Sequence, residues 1–265
     1  YNLFVITFFS LPAVIFLKIK KSTKFLILSL ICFVIFFLYI YGNYVINKNN
    51  KLLEQNSEKF FVKVISPNFD LKYGLSNKEI EERFKQLIKY SDPNKDQKTV
   101  FIWPEGVFSG YSFNEITIFK ELIKKNFSNQ HKIIFGANKL DDETGNFFNS
   151  MFVVNNHFEV IQSYNKRKLV PFGEFLPFEK KLNNLGFKKI TEGHGSFLKG
   201  KKKDNLIINE LNILPLICYE VIFTSLIQES NSKTNLIINI SEDGWFGTTI
   251  GPDQHFAKSI FRAIE

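Results

Sequence analysis

The chain has 265 residues, enough for one large domain with extensions. Its net charge of +8 does not mark a nucleic-acid binder, because lysine, asparagine, isoleucine and phenylalanine are used heavily throughout and part of the excess sits in one short loop between apolar segments. The only cysteines are Cys32, inside an apolar segment, and Cys218, which excludes a disulfide framework; no zinc-type Cys/His spacing, phosphate-binding loop or internal repeat is present.

From Tyr1 to Leu17 there is no charge, and only Asn2, Thr7, Ser10 and Pro12 interrupt the apolar run. The run starts without a methionine and reads as a truncated transmembrane helix, so the chain is expected to be a fragment. A second uncharged run extends from Phe25 to Ile46. Since about 20 apolar residues cross a bilayer, Phe25–Tyr44 is predicted to be a full transmembrane helix. Two such runs in tandem, with no small-residue cleavage site, favour membrane helices over a signal peptide. Between them, residues 18–24 contain Lys18, Lys20, Lys21 and Lys24. The positive-inside rule makes that loop cytoplasmic and places the chain beyond Ile46 on the outer face, which in a bacterium is the periplasmic side. Residues 1–46 are thus the predicted membrane segment, 47–59 a polar linker and 60–265 a folded domain.

Within that domain strands and helices alternate. Phe60–Ser66 reads as a strand, and Ser76-Asn-Lys-Glu79 is a capping box that opens a helix with Ile80, Phe84, Leu87 and Ile88 on one face. Thr99–Trp103 is a strand stopped by Pro104. A helix is predicted from Asn114 to Phe127, then strands over Lys132–Ala137, Met151–Val154 and Val160–Tyr164. Ile213–Ile217 reads as a buried strand ending at Cys218. A helical stretch over Thr224–Glu229, a strand over Leu236–Ile240 and a helix from Asp253 complete the pattern. The alternation implies an α/β domain of layered sheets.

Several strand ends carry chemistry. Glu105 follows Trp103-Pro104, where the proline fixes an extended turn. Lys166 follows the strand ending at Tyr164, and Cys218 follows Ile217. Each has a bland reading: a helix cap, a surface lysine, a small buried hydrophobe. Together at one sheet edge they make an acyl-transfer site. The carboxylate removes the thiol proton, the thiolate attacks a carbonyl, and the ammonium stabilises the oxyanion.

These residues resemble a known family. Trp103-Pro-Glu105, Tyr164-Asn-Lys166 with Leu169-Val-Pro-Phe-Gly-Glu174, and Ile217-Cys-Tyr-Glu220 resemble the Glu-Lys-Cys signatures of the nitrilase, or carbon–nitrogen hydrolase, superfamily. The Gly-Glu-Phe extension, Asn239-Ile-Ser-Glu-Asp243-Gly-Trp245-Phe-Gly247 and Gly251-Pro-Asp-Gln-His255 narrow the likeness to the apolipoprotein N-acyltransferases. The resemblance covers about Ser66 to Glu265. It implies a nitrilase-like α-β-β-α sandwich behind two transmembrane helices, cut short at its C-terminal end. It also implies Glu105 as general base, Lys166 as oxyanion-stabilising cation and Cys218 as the nucleophile that becomes a thioester. Glu174 and Glu220 match carboxylates that orient Lys166 and the substrate amine, Tyr219 and Trp245 match supporting aromatics, and Tyr73 stands at a tryptophan position. The chain departs from the pattern at Lys168, Glu242 and Gly244, where histidine, asparagine and alanine are usual.

The implied reaction is ping-pong. Cys218 takes an acyl chain from a phospholipid, and the α-amine of a diacylglyceryl-cysteine lipoprotein then takes it from the thioester. That chemistry calls for no metal or organic cofactor and no nucleic acid. It implies a monomer in the bacterial inner membrane with its catalytic domain on the periplasmic side, and Phe108–Phe113 and Phe172–Phe187 as aromatic lids facing the bilayer. The alternatives are a membrane-tethered amidase or nitrilase that uses water as second acceptor, and a catalytically inactive membrane scaffold.

Overall fold

The computed structural model describes residues 2–55, 61–184, 186, 195–201, 205–229 and 233–264. The chain divides into two compact units, residues 1–59 and 60–265.

The first unit is a pair of helices, α1 (Asn2–Phe16) and α2 (Lys21–Gln55). At 1.5 Å per residue the 15-residue α1 rises only about 22 Å, short of the roughly 30 Å hydrocarbon core, and it contains Pro12. Among the described residues one helix, over Lys21–Lys48, is long and apolar enough to cross a membrane. Of the two membrane helices expected, one full and one truncated, the structure shows one of spanning length, α2. Helix α2 also continues to Gln55, into the predicted linker. Residues 47–55 contain no glycine or proline, and their lysine, leucine, glutamate and glutamine extend a helix that is already nucleated. The last linker positions, 56–59, lie outside the described residues.

The second unit is built on two sheets. The larger contains β1 (Phe61–Val64), β2 (Thr99–Ile102), β3 (His131–Leu140), β4 (Phe147–Val154) and β5 (Val160–Asn165), in that order across the sheet. β1, β2 and β3 run parallel, whereas β4 and β5 are antiparallel additions. The smaller contains β6 (Leu206–Ile208), β7 (Leu211–Ile217) and β8 (Leu236–Ile240), with β6–β7 antiparallel and β7–β8 parallel.

Side-chain alternation sorts the layers. All of β2 is buried: Phe101 packs with Phe84, Leu87, Phe135 and Phe152 on the helix side, while Val100 and Ile102 pack with Ile134, Met151, Ile213 and Ile238 between the sheets. A strand buried on both faces shows no polar–apolar alternation, so Val100–Ile102 reads as an unbroken apolar run after Thr99. On the far side of the smaller sheet, Leu216, Val221 and Leu226 form a third cluster. There α7 (Thr224–Ile227) and α8 (Gly251–Ile264) supply the outer layer, giving α-β-β-α stacking.

Helix α3 (Asn77–Ser91) forms as its sequence predicts. The Ser76 N–H donates to Glu79 Oε2 at 2.8 Å and the Glu79 N–H to Ser76 Oγ at 3.3 Å, with Ile80, Phe84, Leu87 and Ile88 buried. The predicted Asn114–Phe127 helix is instead broken into α4 (Phe113–Ile116), a 3-10 turn (Thr117–Phe119) and α5 (Lys120–Asn126). The β-branched run Ile116-Thr117-Ile118 explains the break, since Thr117 Oγ1 also bonds back to the Asn114 carbonyl at 2.6 Å. Strands β3 and β4 are longer than predicted because they pair with each other from Ile133↔Val154 to Leu140↔Phe147.

The aromatic segments also differ from expectation. Phe108 and Phe113 are not a lid: Phe108 stacks on Phe84 at 4.4 Å and Phe113 on Phe152 at 4.7 Å, inside the helix-side core. Phe172 and Phe178 are exposed, at φ of 62° and 51°, but positions 185 and 187 of the second predicted lid lie outside the described residues.

Candidate active site

Glu105, Lys166 and Cys218 line one cavity of about 420 Å³. Each sits where its strand ends, so the site is assembled at one edge of both sheets.

Glu105 lies beyond β2. Trp103 is fully buried and donates from Nε1 to Ser91 Oγ at 3.0 Å, which fixes the chain before Pro104. On β3, a Cβ at Gly136 would meet the Glu105 carbonyl oxygen at 2.4 Å and its Cα at 2.6 Å. Only glycine lets β3 lie this close to the backbone that carries the carboxylate.

Lys166 leaves β5 and is 1% exposed. Its Nζ contacts Glu174 Oε1 at 2.9 Å and Glu105 Oε1 at 3.3 Å. Asn149 Nδ2 donates to the same two carboxylate oxygens, each at 2.7 Å. One amide NH₂ has two hydrogens, so a single side chain can hold both carboxylates against the ammonium. Their other oxygens are also engaged: Glu174 Oε2 accepts from the Val170 N–H at 2.9 Å, and Glu105 Oε2 from the Glu242 N–H at 3.2 Å. Burial pulls the Lys166 ammonium down, but the negative charges of Glu105 and Glu174 outweigh it and raise it above the ordinary lysine range. The cation therefore stays charged.

Cys218 is the first residue of a 3-10 turn (Cys218–Ile222) after β7 and has φ of +50°. A non-glycine residue in that region is strained by about 1–3 kcal/mol and persists only when its surroundings fix it. Two anchors do so. The Ile217 N–H, one residue before, donates to Glu220 Oε2 at 2.9 Å, and His255 Nε2 donates to the Cys218 carbonyl at 3.0 Å. Burial, then the Glu105 charge, push the thiol up to about 12, with Lys166 opposing. The side chain therefore rests as a thiol.

The other expected residues divide into those in the cavity and one behind it. Glu174, Tyr73, Tyr219 and Trp245 all line the cavity. Tyr73 and Trp245 are in ring contact at 5.8 Å, and Tyr219 meets Phe223 edge-on at 5.1 Å. Glu220 is fully buried and does not line the cavity. Its Oε1 accepts from the Arg167 and Lys168 N–H groups at 2.7 and 3.0 Å, and Tyr164 Oη donates to the carboxylate at 3.0 Å. It reaches Lys166 through the backbone, not through its ammonium.

Sequence reasoning missed Asn149, Asp243 and His255 as site residues. Asn149 lies on the part of β4 left out of the predicted strand, and a lone asparagine carries no signal by itself. His255 was visible only as the last residue of a motif. In the fold His255 Nδ1 contacts Asp243 Oδ1 at 2.9 Å, and Ser241 Oγ donates to that oxygen at 2.5 Å. Cys218, Asp243 and His255 bring a thiol, a carboxylate and an imidazole within 4.8 Å of one another. Both imidazole nitrogens are already engaged, so the group acts as a hydrogen-bond network and no metal centre is assigned.

The bond from Asp243 raises His255 above the ordinary histidine range, against the pull of burial. Burial would raise Asp243 in turn, but the bonds from His255 and Ser241 hold it below the carboxylate range. A raised histidine contributes stability that is full below its unfolded value and lost as pH rises through its folded value. The Tm difference between wild type and Asp243→Asn is therefore expected to be large at pH 6 and to shrink above neutrality. NMR titration of the His255 ring should show its midpoint falling in the variant. A difference that grows with pH would contradict this assignment.

Comparisons with known proteins show the family. Residues 73–265 match the carbon-nitrogen hydrolase family. The chain is 32% identical over 217 residues to an apolipoprotein N-acyltransferase of Bradyrhizobium diazoefficiens, covering 77% of this chain and 40% of that protein. It is 30% identical over 220 residues to the enzyme of the same name from Rhodopseudomonas palustris, again with 77% and 40% coverage. The chain thus spans about two-fifths of the length of these relatives. Its fold is similar to that of a carbon-nitrogen hydrolase from Helicobacter pylori, with a TM-score of 0.51, 15% identity, and 77% and 69% of the two chains covered. Carboxylate, ammonium and thiol stand at the ends of β2, β5 and β7 in a sandwich of this kind, and with the family match running from Tyr73 to the last residue, the chain belongs to the carbon–nitrogen hydrolase family.

Proposed function

We propose that this chain carries the catalytic domain of an apolipoprotein N-acyltransferase, which moves an acyl chain from a phospholipid to the N-terminal amine of a diacylglyceryl-cysteine lipoprotein. The observation that carries this reading is a thiol on a strained turn that lines one cavity together with a carboxylate and a buried ammonium. The similarity to named N-acyltransferases and the apolar helix α2 support a lipid setting for it.

In this reading Glu105 accepts the Cys218 proton as sulfur attacks the ester carbonyl. Because burial and the Glu105 charge hold the side chain as a thiol, its proton must pass to the base for sulfur to attack. Lys166 stabilises the tetrahedral oxyanion. The ester C–O bond breaks, Glu105 protonates the departing alcohol, and a Cys218 thioester remains. The lipoprotein amine then attacks the thioester, the C–S bond breaks, and the amine proton returns through Glu105 to the thiolate. Helix α2 would tether the domain to the inner membrane on its periplasmic side, where both substrates are held by their lipid tails.

The test is to form the acyl-enzyme from labelled phospholipid and follow its discharge. Transfer of label to a diacylglyceryl-cysteine peptide supports the proposal. Release only as free fatty acid, with the peptide present, makes the protein a hydrolase and overturns it.

A further inference from the structure

One carboxylate in the cavity has no part in the steps above. Glu242 follows β8, and its side chain lies directly over Gly106, where a Cβ would meet Glu242 Oε2 at 2.5 Å. Its Oε1 accepts the Gly244 N–H at 3.1 Å, and its own N–H holds Glu105 Oε2. Glu242 thus stands beside the Glu105 carboxylate.

No cation contacts Glu242 among the described residues. The Arg83 guanidinium acts on it only at a distance, since it donates to the Val107 and Asp70 carbonyls at 3.0 and 2.8 Å and packs over the Phe69 ring. His255 is paired with Asp243, and Lys166 is the one cation shared by Glu105 and Glu174, so Glu242 has no cation contact of its own among the described residues. Burial, reinforced by the neighbouring Glu105 charge, raises the Glu242 carboxyl above its ordinary range, so an arriving cation would relieve an existing cost.

We propose that Glu242, acting beside Glu105, binds the primary ammonium of a lipid substrate in this cavity. The proposal rests on the acyl-transfer reading and adds a residue to it. An ammonium must lose one proton to become a nucleophile and a second as the amide forms. Glu242 accepts the first, leaving a neutral amine at the thioester, and releases that proton to solvent once the amide has left. The amine nitrogen forms the C–N bond, the C–S bond breaks, and Glu105 passes the second proton to the Cys218 sulfur. The ammonium has two chemical sources, the acceptor's α-amine and an amino headgroup on the phospholipid donor.

The experiment compares wild type, Glu242→Gln and Glu242→Asp in detergent or vesicles. In one arm the preformed thioester is discharged by a diacylglyceryl-cysteine peptide or by hydroxylamine, which is uncharged at neutral pH. In the other arm it is formed from donors of equal acyl chain with ethanolamine or glycerol headgroups. A lost contact to a charged group predicts that Glu242→Gln lowers kcat/KM for the peptide amine at least about tenfold relative to hydroxylamine, with partial rescue by Glu242→Asp. If the donor headgroup is the source, the variant instead loses a preference for ethanolamine over glycerol. Unchanged ratios in both arms overturn the proposal, and so does a variant that cannot be acylated by either donor. If wild-type thioester is discharged by water but by no amine, the acyl-transfer reading falls as well. If wild type transfers to the amine and the variant matches it, only the role of Glu242 falls.

Discussion

Cys218→Ala is expected to remove the acyl-enzyme entirely. Incubated with labelled phospholipid, wild type should acquire protein-bound label that hydroxylamine releases, and the variant should acquire none. The only other cysteine, Cys32, lies on the apolar helix α2. The loss should leave the fold intact, because removing one sulfur from a half-buried position opens little space. An unchanged Tm with no label is therefore the expected pair of results. Hydroxylamine-sensitive label on Cys218→Ala would show that the thioester forms elsewhere and would end the mechanism.

The second large effect separates the base from the cation. Glu105→Gln keeps the shape and can still hydrogen-bond to Asn149, but it cannot accept a proton. Acylation should slow by roughly 10²–10⁴-fold, the usual value of general-base assistance, with little change in Tm. Lys166→Ala should cost about 3 kcal/mol of transition-state stabilisation, slowing both acylation and discharge. It should also destabilise the protein, because it strips the cation from Glu105 and Glu174, which are both 12% exposed. Removing one partner of a buried pair typically costs about 3–5 kcal/mol. Stopped thioester assays and thermal melts of the two variants check both halves. Equal Tm losses would mean that the ion network is not organised around Lys166.

The legible parts of the site were those that coincide with strand ends. Glu105 and Cys218 each follow a run of apolar residues whose termination is written locally by Pro104 or by the change of pattern after Ile217, and Lys166 follows a mixed strand that ends at Asn165. The layers were legible too, since the burial of β2 and β7 follows from continuous apolar runs and that of α3 from helical periodicity. Asn149 was not legible, because its place is set by the long β3–β4 pairing and not by its neighbours in sequence. β6 was missed because three residues between polar positions give no period to read. The Phe108–Phe113 segment misled for a different reason: in a chain with 31 phenylalanines, aromatic density does not distinguish a core from a lid.

The hydrogen bonds of Glu220 span both halves of the sandwich. Tyr164 and the Arg167 and Lys168 amides belong to β5 and the loop beyond it, whereas the Ile217 amide belongs to β7 of the other sheet. Without that tie the two sheets would be held here by side-chain packing, and any shift between them would change the separation of Cys218 and Lys166. One carboxylate stitched across the seam prevents it at the end where chemistry occurs. The spacing of the reacting groups is thus decoupled from how loosely the hydrophobic interior is packed.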